Sequence, residues 1–73
     1  MIVGDWVVVR EGMEGNSYGG YAGRLVAVYF HHAKIQFILR PTGFIDMVFE
    51  RWIPFWDIRL VTKEEYYAWL HYA

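Results

Sequence analysis

Glycine sets the rhythm of the first third of this chain. Gly4-Asp5 precedes an apolar run through Trp6, Val7, Val8 and Val9. A segment holding Gly12, Gly15, Gly19 and Gly20 follows, and Gly20-x-x-Gly23 opens a second run, Arg24 to Phe30. Valine-rich runs read as strands, and glycines clustered between them break any regular element. Met1 to Glu11 reads as strand one, with Val7 and Val9 on one face and Trp6, Val8 and Arg10 on the other. Both faces are largely apolar, so another element must cover one of them. Gly12 to Tyr21 is the loop. Its rings, Tyr18 and Tyr21, are suited to recognition or to folding back as a plug on the end of the sheet.

Beyond Phe30, His31-His32-Ala33 is a short link and Lys34 to Arg40 a third strand. Ile35, Phe37 and Leu39 face the core there, and Lys34, Gln36 and Arg40 face water. Arg40-Pro41-Thr42-Gly43 has the residues of a tight turn. It leads into a fourth strand, Phe44 to Glu50, paired with the third as a hairpin. Ile53-Pro54-Phe55-Trp56-Asp57 predicts one helical turn, because proline suits a first helical position. Ile58 to Val61 is a short fifth strand. Thr62 with Glu65 three residues on is a capping-box pattern. It starts a helix over Lys63 to Ala73, whose Tyr66, Trp69, Leu70 and Ala73 form one stripe. So short a helix is marginal alone and must dock. The chain is one domain, residues 1–61 forming the β part and 62–73 the helix.

A chain of 73 residues without cysteine has no disulfide or thiolate metal site to hold it, and a domain of this size buries only about 60% of its unfolded surface. Its core must come from apolar side chains. Fifteen aromatics are more than one small interior usually holds, so some are expected on the surface as a partner patch. Seven Lys plus Arg against eight Asp plus Glu give a net charge of −1, which offers a phosphate backbone no concentrated basic patch. No apolar run reaches the ~20 residues of a membrane span, and the front lacks a signal-peptide pattern. A soluble cytoplasmic protein, with no membrane partner, is expected.

Residues 4 to 61 resemble the SH3-like barrel superfamily: five strands, a long first loop, short later links and a helical turn before the last strand. Gly4-Asp5-x-Val7-x-Val9 with Gly20-x-x-Gly23-x-Leu25 looks like the KOW-type segment of ribosomal and transcription-elongation proteins. Pro54 to Val61 resembles the usual close of such barrels. The resemblance implies a mostly β fold, a five-stranded SH3-like small barrel with a short C-terminal α-helix, and a binding role. KOW segments are usually basic, whereas this first loop is glycine-rich and almost uncharged. Tyr18, Tyr21, Glu11, Glu14 and Trp52 imitate loosely the groove of signalling SH3 domains. Type II dihydrofolate reductases, homotetramers of such chains, carry Val-Gln-Ile-Tyr before the final turn; Glu50-Arg51-Trp52-Ile53 does not match it, so that enzyme is a remote alternative.

No catalytic or cofactor pattern stands out. His31 and His32, adjacent on extended chain, point to opposite sides, and only His71 accompanies them, so no metal site is expected. Asp5, Glu11 and Glu14 lie in or beside a loop in water, which does not supply the pocket that paired acids need. The glycine loop is followed by a β-run and carries no lysine, unlike a phosphate cradle. Expectation therefore falls on a non-enzymatic protein-binding module without cofactors. Its surface comprises Tyr18, Tyr21, Arg51, Trp52, Phe55 and Trp56, with one of the two tryptophans buried. Homodimerisation through Tyr66, Trp69 and Tyr72 is a further expectation. Small chains of this kind also occur as viral or mobile-element inhibitors of host machinery. The alternative is single-stranded nucleic acid stacked on Tyr18, Tyr21 and the strand aromatics, with Arg24, Lys34 and Arg40 on phosphates.

Overall fold

The structure, a computed structural model, describes residues 1–11, 18–40 and 43–72, the side chains of Phe44 and of residues 69–72 excepted. Five strands and one helix follow in chain order: β1 (Trp6–Val9), β2 (Ala22–Tyr29), β3 (His32–Arg40), β4 (Gly43–Pro54), a 3-10 turn (Phe55–Asp57), β5 (Ile58–Val61) and α1 (Lys63–Tyr72). All neighbouring strands pair antiparallel, in the order β4-β3-β2-β1-β5. The fold is mostly β with a short C-terminal helix.

The expected closed cylinder is not formed. Among the described residues β4 and β5 do not pair, and the sheet stays open. The chain leaves β4 at Pro54, which has no amide hydrogen to donate. It then crosses through the 3-10 turn to the opposite edge, where the Arg10 amide donates to the Asp57 carbonyl at 2.7 Å.

Two bulges bend the sheet around its core. Leu25 pairs with Ile35 and Ala27 with Lys34, which leaves Val26 as an extra residue in β2; Gly23 pairs with Phe37 and Ala22 with Leu39, which leaves Ile38 extra in β3. A one-residue bulge turns the strand and moves every later side chain to the other face. Ile35 and Phe37 accordingly join Val7, Val9, Leu25, Ala33, Ile53 and Ile58 in the main core. Leu39, expected beside them, instead lies in a second cluster with Ala22 and Tyr66. Gly23 makes the close approach of β2 and β3 workable, because a Cβ there would lie 2.1 Å from the Gln36 carbonyl oxygen.

The helix supplies the cover that the two-sided β1 required. Trp6, Val8 and Val61 pack around Ala22, Leu39 and Tyr66. The Trp6 and Tyr66 rings lie 4.0 Å apart, and the Arg24 guanidinium sits over Trp6 at 4.5 Å. The Thr62 hydroxyl accepts the Glu65 amide at 3.0 Å, as the capping pattern predicts. The Glu65 carboxylate turns to Arg59, 3.6 Å away. Burial pushes the Tyr66 phenol above its ordinary pKa, against an opposing pull from Arg24. Its hydroxyl finds no hydrogen-bond partner among the described residues.

Strand limits differ from the expected ones most at β1, which spans only Trp6–Val9 where Met1 to Glu11 was expected, and at both ends of β2, which starts at Ala22 and stops at Tyr29. His32 and Ala33 belong to β3, and the link shrinks to Phe30-His31 between the paired residues Tyr29 and His32. β4 runs on to Pro54, four residues past the expected Glu50, because Trp52, Ile53 and Pro54 pair with Lys34, Ala33 and His32. The expected loop positions 12–17, Glu14 among them, the Pro41-Thr42 turn centre and Ala73 lie outside the described residues. Among the described residues no helix is long and apolar enough to cross a membrane.

Candidate interaction surface

Partners that face each other across a ladder share one side of the sheet. On β3, Ala33, Ile35 and Phe37 turn inward, so His32, Lys34 and Gln36 turn outward. Their partners turn outward with them: Tyr29 and Pro54 beside His32, Ala27 and Trp52 beside Lys34, Arg24 and Glu50 beside Gln36. The outer face of β2-β3-β4 is thus assembled by register, and its Tyr29 end carries rings that no described residue covers.

Exposure there is 65% for Tyr29, 76% for Phe30, 48% for Trp52 and 60% for Trp56. Tyr29 and Phe30 meet edge to face at 4.5 Å. Trp56, carried by the 3-10 turn, stands edge-on to His32 at 6.3 Å. Lys34 reaches over the Trp52 ring at 5.9 Å and also pairs with the Glu50 carboxylate at 3.3 Å. The surface therefore combines four exposed rings, two indole donors and a charge pair of both signs.

Phe30 occupies an unusual position. Its φ is +53°, in the left-handed region that favours glycine. A two-residue hairpin turn calls for such a φ and normally uses Gly, Asn or Asp. An aromatic held there costs about 1–2 kcal/mol of backbone energy. At 76% exposure, burial within the chain does not repay this cost.

The six residues expected to share one binding surface divide in two. Tyr18 stacks on Phe37 at 5.3 Å and tilts against Phe49 at 5.9 Å; Tyr21 meets Phe37 edge-on at 5.6 Å. These tyrosines plug the end of the core. The Arg51 side chain donates to the Tyr18 hydroxyl at 3.1 Å and lies over Phe49, and its Nη1 donates to the Glu50 carbonyl. Phe55 packs on the main core. Trp52 and Trp56 stand outside on the sheet face, and both are exposed where one was expected buried. A hairpin register explains the split: Arg51 and Trp52 are adjacent on β4 and so face opposite ways.

Of the residues expected to self-associate, Tyr66 is 1% exposed and spent on its own sheet. The side chains of Trp69 and Tyr72 lie outside the described residues, as do those of Leu70 and His71. Sequence reasoning missed Tyr29, Phe30 and His32. The consecutive Tyr29-Phe30-His31-His32, between a continuous apolar run and an alternating one, was the available signal for a hairpin tip made of rings.

Asp5 is engaged locally, accepting the Ile2 amide at 2.8 Å. No group of three or more metal-binding side chains gathers among the described residues. Comparison with known protein families, curated proteins and solved structures finds no match to this chain.

Proposed function

We propose that this chain is a non-catalytic binding module of the SH3-like barrel kind, acting in the cytoplasm, that takes a protein partner on the outer face of β2-β3-β4. One observation carries the proposal. Tyr29, Phe30, Trp52 and Trp56 stay exposed together although α1 covers the other apolar end of the same side. Large exposed apolar patches on small domains mark interaction sites, and Trp and Tyr carry much of the energy of protein interfaces. The fold assignment is supported by the antiparallel pairing of β5 on β1 and by the single turn before the last strand.

The charges on the face favour protein over nucleic acid. Lys34, the lysine beside Trp52, is already paired with Glu50. A phosphate strand would have to displace that carboxylate, and binding of nucleic acid leans on unopposed cations. The test is capture of partners by a photo-crosslinker at position 56, followed by titration of the purified partner. Trp52→Ala and Trp56→Ala are expected to weaken binding at least about tenfold, the hot-spot range, while Tyr67→Ala on α1 leaves it unchanged. Tight, salt-sensitive quenching of tryptophan fluorescence by single-stranded oligonucleotides would overturn the assignment of a protein partner. Equal retention of the partner by all variants would overturn the face itself.

A further inference from the structure

We infer that the occupant of this face is a second copy of the same chain, docked about a two-fold axis midway between Lys34 and Glu50. The inference rests on the proposal that the outer face binds protein. Two properties of the face support it.

The first is charge. Lys34 and Glu50 are the central ionised groups of the outer face and lie 3.3 Å apart, each partly exposed. A two-fold axis between them exchanges their positions, so it sets Lys34 against the second copy's Glu50 and Glu50 against the second copy's Lys34. The intrachain pair becomes a four-charge network, and such networks contribute where isolated surface pairs do not. Trp52, the register partner of Lys34, lies close to that axis and meets its own symmetry mate. The net charge of −1 per chain adds almost no repulsion between copies.

The second is area. At about 200 Å² per ring, the exposed fractions of Tyr29, Phe30, Trp52 and Trp56 leave about 500 Å² uncovered on each copy. Two copies together remove about 1,000 Å², the lower bound for a specific interface. An interface of that size sits at the small end of specific contacts, where association is weak and reversible.

Sedimentation velocity over a concentration series tests this directly. Wild type is expected to pass from monomer to dimer as its concentration rises through the series. Lys34→Glu leaves two acids in each half of the network, and Glu50→Lys leaves two bases. Each variant alone is expected to dimerise at least about tenfold more weakly. An equimolar mixture of the two regains the wild-type affinity, because an acid on one chain then faces a base on the other at both contacts. The double variant Lys34→Glu/Glu50→Lys dimerises like wild type and confirms that folding is intact. A wild type that stays monomeric, or a mixture no more associated than its components, overturns the inference. If wild type stays monomeric while Trp52→Ala still loses a different purified protein, the second copy is wrong and the binding face stands. If wild type stays monomeric and ring variants change no binding, both fail.

Discussion

Replacing Gly23 by alanine tests the fold at its tightest point. The added Cβ would meet three backbone atoms: the Gln36 oxygen at 2.1 Å, the Gln36 carbonyl carbon at 2.8 Å and the Phe37 Cα at 3.0 Å. None is the end of a flexible side chain, so the two strands must part by about 1 Å to restore ordinary contact. That separation falls where β2 and β3 pair, beside a bulge, and directly behind the buried Phe37. Overpacking a core costs about 1–3 kcal/mol; with rigid backbone on the other side, the upper end applies, about 3 kcal/mol or more. A domain of this length holds only about 4–11 kcal/mol in total. In urea, with a slope of about 1–2 kcal/mol/M, the midpoint should fall by about 1.5–3 M. The assay is equilibrium unfolding followed by far-ultraviolet circular dichroism. A midpoint within about 0.5 M of wild type would refute the close approach of β2 to β3, and with it the register that places the outer face.

Three further predictions address the helix and the rings. Tyr66→Phe deletes a buried hydroxyl without a partner, so it should be neutral or stabilising at pH 7 by urea midpoint. The raised Tyr66 pKa means that the folded state holds its proton longer than the unfolded chain. Stability is therefore fully present below the unfolded value of about 10 and lost as pH rises past it; Tyr66→Phe should show a smaller loss between neutral and strongly alkaline pH, and an identical loss would show that Tyr66 does not contribute. Phe30→Gly relieves the positive φ at a smaller entropic cost of about 0.5–1 kcal/mol, so thermal unfolding should show equal or higher stability while association weakens; a clear drop in stability would mean that the ring is structural. Trp52→Ala and Trp56→Ala, both on the exposed face, should each change unfolding free energy by less than about 1 kcal/mol, and a larger loss would place those rings in the core.

Local signals in this chain were legible, and sidedness was less so. Thr62, Pro54 and the alternation of Ile35 and Phe37 each act over a few residues: the helix cap forms at Thr62, the 3-10 turn follows Pro54, which itself ends β4 in extended conformation instead of opening the turn, and β3 carries the expected alternation but starts two residues early, at His32. The two-sided apolar character of β1 correctly demanded a cover, which α1 provides. Leu39 is buried as its alternation predicts, but beside Ala22 and Tyr66 instead of Phe37, because the bulge at Ile38 sets it on the other face, and no propensity announces where a sheet inserts a residue. The candidate surface divided for a similar reason. Tyr18 and Trp52 look equivalent as aromatic residues. Only the pairing of Lys34 with Trp52 and of Ile35 with Arg51 shows that one flank of β4 faces water and the other faces the plugged core. Phe30 reads in sequence as the end of a strand, because a bulky residue at positive φ runs against every turn preference.

The rings on one side of this sheet are divided between a helix-covered end and an exposed end, and the proposed function stands or falls with that division. Fluorine NMR of protein labelled with 5-fluorotryptophan can watch both ends at once, recorded while a binding partner or a rising concentration of the chain itself saturates the face. Trp52 and Trp56, assigned by single substitutions, should shift or broaden together, and Trp6, stacked under Tyr66, should not move. A response at Trp6 with Trp52 and Trp56 silent would show that the binding end had been placed on the wrong rings.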